Sequence, residues 1–352
     1  MTTDFQQATN RNFGCAAALR AVLVLALLVA LPLEASAQRK AGRNGAAFLK
    51  VSVGARATAL GSAASSILGD ANQVFWNPAG TALTADQTLD VSLSYNDWIA
   101  DIKHTAAAIG YNAGSIGTLT LGIQAFGVTD IAANRQNGYA DPILQDLVTD
   151  EGTSATYDFQ DIAVSLSIGR YVVDRFALGA TVRVVNETID GHGATAVGFD
   201  FGSIYKLGIA GWQLSSRVSN LGSSLTYFNQ DNPMPLVFSI GTSFYPINRE
   251  EARLMIAIDA TKPQESQQLI YGGAELSFYD LLFLRGGYKY NYSGSDDGGT
   301  PDRDAINTTI EGASFGGGIQ YAVSGYNVAI DYAYTQMDLL DAVHRFTLRF
   351  GF

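Results

Sequence analysis

The residues most able to act as general bases or metal ligands in this chain are His104, His192 and His344. They lie far apart in the sequence. A catalytic or metal role needs a partner within hydrogen-bond reach, and no base or second ligand stands at motif spacing from any of them. His192 lies between two glycines and is interpreted as an exposed loop residue. We therefore predict no enzyme, no metal and no cofactor, with a hydrolase assembled by folding as the alternative.

The segment 293–304 is rich in oxygen ligands, with the sequence Ser-Gly-Ser-Asp-Asp-Gly-Gly-Thr-Pro-Asp-Arg-Asp. Carboxylate and carbonyl oxygens are the ligands that Ca²⁺ prefers. However, the segment lacks the terminal Glu and the regular spacing of a dedicated calcium loop. We interpret it as a solvated loop, with calcium binding as the alternative.

The N-terminus has the three parts of a secretory leader. Basic residues precede an apolar run at 21–33, and a small-x-small cleavage site follows at 35–37. We predict that residues 1–37 are a signal peptide, with a retained membrane anchor at 16–33 as the rival interpretation. Cys15 is the one cysteine, so the mature chain would have none. That excludes disulfides and thiolate metal sites.

Composition narrows the class of protein further. Of the 352 residues, 47% are hydrophobic and only 16% are charged, which is a low charged share for a soluble protein. The net charge is −11, and no basic stripe is available for nucleic acid. After the leader, no apolar run is long enough to form a membrane-spanning helix.

Side chains in the mature chain alternate with a period of two, which is the pattern of β-strands. In the last strand Phe346, Leu348 and Phe350 share one face, while Arg345 and Thr347 share the other. In lipid, a closed barrel is the alternative to helices that satisfies every backbone polar group. The sequence therefore predicts a transmembrane antiparallel β-barrel of about fourteen strands over residues 88–352 in the bacterial outer membrane.

Loop lengths and aromatic residues support the barrel over a soluble all-β protein such as a propeller. Strands are expected near 88–98, 102–112, 116–127, 156–169, 173–187, 194–207, 210–221, 236–246, 252–261, 268–279, 281–292, 311–323, 325–336 and 343–352. The longest connections, at 128–155, 222–235 and 293–310, are odd-numbered joins, while the tight ones are mostly even-numbered. This asymmetry is typical of long extracellular loops and short periplasmic turns. Aromatic residues near the strand ends are typical of interfacial girdles.

The predicted inward face carries both signs of charge, which would be satisfied by cross-strand pairs and water. The acidic and basic members are Asp90, Asp161, Asp200, Asp259, Asp331, Arg183, Arg217, Arg285, Lys289, Arg345 and Arg349. Since neither sign dominates, strong ion selectivity is not predicted.

Residues 38–87 are too few to form a core of their own, so they must pack on or inside the barrel. Within them, Trp76-Asn77-Pro78-Ala79-Gly80 predicts a fixed turn. Proline fixes its own φ and pushes Asn77 away from the α region. Asn77 is expected to bond its own backbone as an Asx turn, and Gly80 to permit a left-handed conformation.

This N-terminal segment resembles the signature of the PorV/PorQ outer-membrane proteins, which are similar to the FadL fatty-acid transporters. The resemblance covers the runs 44–50, 54–57, 60–61, 69–71 and 76–80. It implies a fourteen-stranded barrel with an N-terminal hatch. The hatch residues that carry the motif would be Arg56, Gly61, Asp70, Trp76, Asn77, Pro78, Ala79 and Gly80.

The resemblance implies, as the first functional hypothesis, a type IX secretion component that engages cargo C-terminal domains or other machinery. Tyr139, Tyr227 and Phe228 are then candidate contacts for the protein partner, because aromatic residues dominate such interfaces. The alternative is a FadL-like channel for long-chain fatty acids or other hydrophobic small molecules. A general porin comes third, because a plugged lumen conducts poorly. In every case outer-membrane lipid is a partner and nucleic acid is not.

Overall fold

The structure is a computed structural model that describes residues 44–132, 156–266, 268–292, 310–338 and 340–352. The predicted signal peptide, Tyr139 and the acidic segment 293–304 lie outside these ranges. Within the ranges, no helix is long and apolar enough to cross a membrane.

Fourteen strands form one closed antiparallel barrel in which each strand pairs with its neighbours and the first pairs with the last. Two further strands, β8 (Ser224–Tyr227) and β9 (Gln230–Pro233), form a separate hairpin. The barrel strands are β1 (Leu89–Asp97), β2 (Lys103–Asn112), β3 (Thr118–Ala132), β4 (Thr156–Val173), β5 (Phe176–Ile189), β6 (His192–Lys206), β7 (Gln213–Gly222), β10 (Val237–Asn248), β11 (Ala252–Pro263), β12 (Gln268–Phe278), β13 (Leu282–Tyr292), β14 (Ala313–Val323), β15 (Tyr326–Met337) and β16 (Leu340–Gly351). The predicted barrel of about fourteen strands is confirmed.

Alternation decides which side chains face lipid. On β16, Phe346 and Leu348 are exposed on the outside, whereas Arg345 and Thr347 are buried inside. The same alternation of exposed apolar and buried polar residues runs along the neighbouring strands. An apolar outer surface of this extent is what a barrel needs in lipid.

The two ends of the barrel differ in their connections. The chain enters β1 and leaves β16 at one end, where the turns between strands are all short; by the usual convention this end is periplasmic. At the opposite, extracellular end, β3, β7 and β13 end where the longest connections to the next barrel strand begin. Strands β3 to β6 have 14 to 18 residues against 9 to 12 in the other barrel strands. The barrel wall is therefore taller where it is formed by β3 to β6.

Residues 44–87, here called the luminal segment, run inside the barrel from the extracellular half to the periplasmic end. Phe48 packs with Phe126 and with Leu225 of the hairpin, while Pro78–Thr81 contacts β4, β5 and β6 near their periplasmic ends. The segment contains one short α-helix, α1 (Ala55–Ala59), and three 3₁₀ helices at Ala47–Lys50, Ala71–Phe75 and Pro78–Thr81. Two more 3₁₀ helices, Ile99–Asp101 and Gly114–Ile116, lie in turns between barrel strands.

Glycines on the inner wall let the luminal segment approach the strands. A Cβ added at Gly179 would lie under 3.0 Å from backbone atoms of Pro78 and Ala79. A Cβ at Gly287 would meet the backbone of Leu60 and Gly61 in the same way. The segment is thus packed backbone against backbone, which no larger residue at these wall positions would permit.

Candidate functional site

The Asn77–Gly80 turn is fully enclosed at the periplasmic end. The Asn77 side chain is 0% exposed. Its Oδ1 accepts from the Ala79 amide at 3.1 Å, and its Nδ2 donates to the Ser65 carbonyl at 2.7 Å. Pro78 begins the 3₁₀ helix that Asn77 caps. The predicted Asx turn is therefore present, and it ties two stretches of the luminal segment together.

The expected left-handed backbone at Gly80 was wrong, because Gly80 is not among the residues with positive φ. Glycine is required there for another reason. A Cβ would lie under 3.0 Å from the Ile67 carbonyl oxygen and from the Gln73 side chain. The left-handed glycine among the motif residues is Gly61, with φ of 63°, where the segment meets the backbone of β13.

Arg56 anchors the luminal segment to the wall through a chain of buried charges. Its guanidinium donates two hydrogen bonds to Glu275, at 2.7 and 2.8 Å. Glu275 also accepts from Arg285 at 2.6 Å, and Arg285 donates to Asp331 at 2.5 Å. Burial lowers the pKa of Arg56, but the Glu275 carboxylate more than offsets this, so the pKa lies above its ordinary value. The four alternating charges stabilise one another.

Asp70 and Asp90 form a second anchor next to the first, where β16 and β1 follow β15 in the barrel. Asp70 accepts from the Asn72 amide at 2.9 Å and caps the 3₁₀ helix that follows. Asp90 on β1 accepts from the Ala71 amide at 2.6 Å. Arg349 lies between the two carboxylates, 3.4 Å from Asp70 and 3.3 Å from Asp90. The segment is thus held by two neighbouring groups of charges on the wall that runs from β12 to β1.

The charges predicted to face inward do so, and all are buried except Arg349, whose side chain is 15% exposed. Sequence reasoning missed the inward carboxylates of Glu275 and Glu187. The inward position of Glu275 could have been predicted from the sequence, because Glu275 lies on the same face of β12 as Leu269 and Tyr271. Only the structure shows that its partner comes from the luminal segment.

A cavity of about 600 Å³ lies in the extracellular half of the lumen, beside the luminal segment. Much of its lining is apolar and comes from both the segment and the wall. The apolar members include Leu49, Val51, Phe75, Trp76, Leu269 and Ile310. Its volume falls within the range of small-molecule sites in proteins.

Charged side chains interrupt this lining. Lys50 pairs with Glu265 at 2.7 Å, and Lys289 pairs with Glu311 at 2.6 Å. Arg217 also lines the cavity and donates to the Trp76 carbonyl at 2.7 Å. The cavity therefore offers an apolar volume with polar anchoring points, which suits a hydrophobic molecule that carries a polar end.

The β8–β9 hairpin contacts the start of the luminal segment at the extracellular end. The connection 222–235 was predicted as a loop, and the structure shows a hairpin within it. Leu225 is fully buried, and the Tyr227 hydroxyl donates to the Glu187 carbonyl at 2.9 Å. Burial and the nearby Glu187 carboxylate raise the pKa of Tyr227. Tyr227 is engaged internally, whereas Phe228 remains exposed, so their role as partner contacts stays a prediction.

The histidines are as separated in space as in sequence. His104 is buried in the wall, His344 is exposed beside Tyr332, and His192 begins β6 near Phe228. The interpretation of His192 as a loop residue was therefore wrong. No group of three or more His, Cys, Asp or Glu side chains suited to a metal occurs in the described part of the chain.

The barrel with its luminal segment is similar to solved transporter structures. No protein-family profile and no curated protein matches the sequence. The toluene transporter TbuX of Ralstonia pickettii aligns over 85% of this chain and 97% of its own, at 12% identity and a TM-score of 0.54. The toluene transporter TodX of Pseudomonas putida aligns over 84% and 96%, at 11% identity and a TM-score of 0.53. A FadL homologue of Pseudomonas aeruginosa aligns over 86% and 98%, at 12% identity and a TM-score of 0.50.

The chain has the fold of these transporters. Together with the closed barrel and its apolar outer face, this places the protein in the bacterial outer membrane. The fold supports the predicted likeness to FadL-type barrels. The narrower resemblance to the PorV/PorQ group gains no support from these comparisons and rests on the N-terminal motif alone.

Proposed function

We propose that this protein carries hydrophobic small molecules across the outer membrane, with the luminal segment as the hatch that closes the pore. The observation that carries the proposal is the 600 Å³ cavity, which lies beside the hatch on the extracellular side and is lined by both hatch and wall. A molecule bound there would touch Leu49, Phe75 and Trp76 directly. Binding at this position would be able to displace the hatch.

The kind of molecule follows from the lining and from the related folds. TbuX and TodX are toluene transporters, and their fold is shared here. The cavity adds Lys50, Arg217 and Lys289 to an otherwise largely apolar wall. We infer that both monoaromatic hydrocarbons and long-chain fatty acids are suitable candidates. Lys50 and Lys289 already pair with Glu265 and Glu311, so Arg217 is the group that favours the fatty acids, because a carboxylate beside it gains charge-assisted hydrogen bonds.

Uptake of labelled oleate and toluene by cells that express the protein tests this proposal. Leu269→Trp would fill the cavity and reduce uptake, because Leu269 is buried in its wall. Ile270→Trp is the matched control, since the next residue on β12 has the opposite parity and faces away from the lumen. Uptake equal to that of cells without the protein, for both compounds, would refute transport.

A second variant tests the hatch. Replacing both Asn77 and Pro78 with alanine removes the cap and the fixed φ of the turn. A bound molecule then has no ordered hatch to displace, so we expect binding-dependent uptake to be lost even if the non-specific conductance of the pore rises. Normal uptake in that variant would instead favour the secretion hypothesis. In that case, retention of proteins that bear a type IX C-terminal domain by the purified barrel would be the decisive measurement.

A further inference from the structure

A second cavity, of about 480 Å³, lies at the periplasmic end of the lumen. Leu83 of the luminal segment lines it on one side, and Thr118 on β3 and Gly169 on β4 line it on the other. The 600 Å³ cavity reaches β3 at Gln124, which lies six residues further along the strand. Six residues of a strand extend about 20 Å. A molecule that leaves the first cavity for the second must cover this distance.

The inward residues of β2, β3 and β4 between the two cavities are all small and uncharged. They are Ala108, Gly110, Thr120, Gly122, Ser165 and Ser167. The Ser165 hydroxyl accepts from Arg183 at 2.9 Å, and the Ser167 hydroxyl accepts from Thr181 at 3.0 Å, so both bond within the wall. The Thr120 hydroxyl is 0% exposed and has no partner among the described residues. This wall therefore offers the luminal segment few polar contacts.

The luminal segment meets this wall through the 3₁₀ helix at 71–75, and the contact between them is here called the seam. Val74 packs with Ala108 in the seam. A Cβ added at Gly122 would lie 2.7 Å from a Val74 methyl and 3.1 Å from the Phe75 ring. The seam is thus closed by apolar contact against a wall of small residues.

One hydrogen bond lies at each end of the seam. At the extracellular end, Arg183 donates to the Val74 carbonyl at 3.4 Å. At the periplasmic end, the Leu83 amide donates to the Thr118 hydroxyl at 2.9 Å. Between these two bonds, no hydrogen bond joins the described residues of the segment to the inward side chains of β2, β3 or β4.

The beginning of the same 3₁₀ helix is bonded to β1. The Ala71 amide donates to Asp90 at 2.6 Å, and the Asn72 side chain donates to the Ser92 hydroxyl at 2.7 Å. A buried hydrogen bond that is broken leaves its donor and acceptor unpaired, whereas apolar contacts are non-directional and are replaced by those of an apolar molecule. The helix is therefore held at its start and is easier to displace at its end, where Val74 and Phe75 face the seam.

We propose that a transported molecule passes along the seam from the 600 Å³ cavity to the periplasmic cavity, while the bonds to β1 stay in place. This inference rests on the proposed transport function. Val74 and Phe75 move away from Gly122 as the molecule passes, and the bond between Leu83 and Thr118 opens last. The luminal segment then closes behind the molecule without leaving the barrel.

A disulfide across the seam tests this route, because the mature chain would have no cysteine of its own. Val74→Cys combined with Gly122→Cys joins the helix to β3, since a Cβ on Gly122 lies beside the Val74 side chain. The matched control is Ser65→Cys with Ser215→Cys, which ties the segment to β7 where the two hydroxyl oxygens are 2.9 Å apart. We expect oxidation of intact cells to abolish uptake of labelled toluene only in the seam pair, and reduction to restore it.

The outcomes separate the route from the transport function. Wild-type uptake no higher than that of cells without the protein would refute transport itself. If the wild-type protein transports toluene, full uptake by the oxidised seam pair would overturn the route. Loss of uptake in both oxidised pairs would overturn it as well, because the whole segment would then have to move.

Labelling of a buried thiol gives a second measurement, which decides the question if the seam pair stays inactive after reduction. Thr120 and Ser92 are both 0% exposed on the inner wall, on β3 and β1. We expect N-phenylmaleimide to react with Thr120→Cys roughly tenfold faster than with Ser92→Cys, because opening at β1 must also break the bond from Ala71 to Asp90. Equal rates of labelling in the two variants would contradict the proposal.

Discussion

Replacing Gly179 with alanine should push the Asn77–Gly80 turn away from the barrel wall. The added Cβ would lie under 3.0 Å from the Pro78 carbonyl carbon and oxygen and from the Ala79 nitrogen. These are backbone atoms in a turn that the proline ring and the Asn77 cap hold rigid, so no side-chain rotation relieves the contact. Overpacking of this kind costs about 1–3 kcal/mol.

If that cost falls on the closed arrangement of the hatch, the ratio of open to closed channels rises roughly 5-fold to 150-fold, since about 1.4 kcal/mol is a factor of ten. Conductance of single channels in planar bilayers measures the open fraction. Gly272→Ala is the matched control, because a Cβ on that residue of β12 meets nothing within 4 Å. An open fraction and an unfolding free energy equal to those of the wild-type protein would refute the reasoning.

Two further substitutions test the anchors of the luminal segment and of the hairpin. Arg56→Met should lower the free energy of unfolding, measured with urea in lipid vesicles, by up to about 3 kcal/mol. The loss is limited because Glu275 keeps Arg285 as a partner. Adding Glu275→Gln to Arg56→Met should recover part of the lost stability. No loss on Arg56→Met would show that the ion pair contributes nothing. Tyr227→Phe removes the hydroxyl bond to Glu187, worth about 0.5–1.5 kcal/mol, so amide hydrogen exchange should quicken in β8 and β9 only. Unchanged exchange in the hairpin would contradict this role.

The strands and the direction of their side chains could be predicted from sequence because both depend on a local pattern. Period-two alternation, as in Phe346, Leu348 and Phe350 against Arg345 and Thr347, fixes which face meets lipid. The same parity predicted the inward charges correctly. The hairpin at 224–233 was missed, because it is short and its one fully buried apolar residue, Leu225, packs on the luminal segment.

The sequence by itself therefore determined the barrel, its strand number and the polarity of its two faces, since each depends on neighbours along one chain segment. Only the tertiary structure decided how the luminal segment fits. The partner of Arg56 is Glu275, over two hundred residues away, and the contact that requires glycine at position 80 comes from Ile67 and Gln73. The two cavities and the seam likewise exist only because the barrel closes around the segment, and closure is a property of the whole chain.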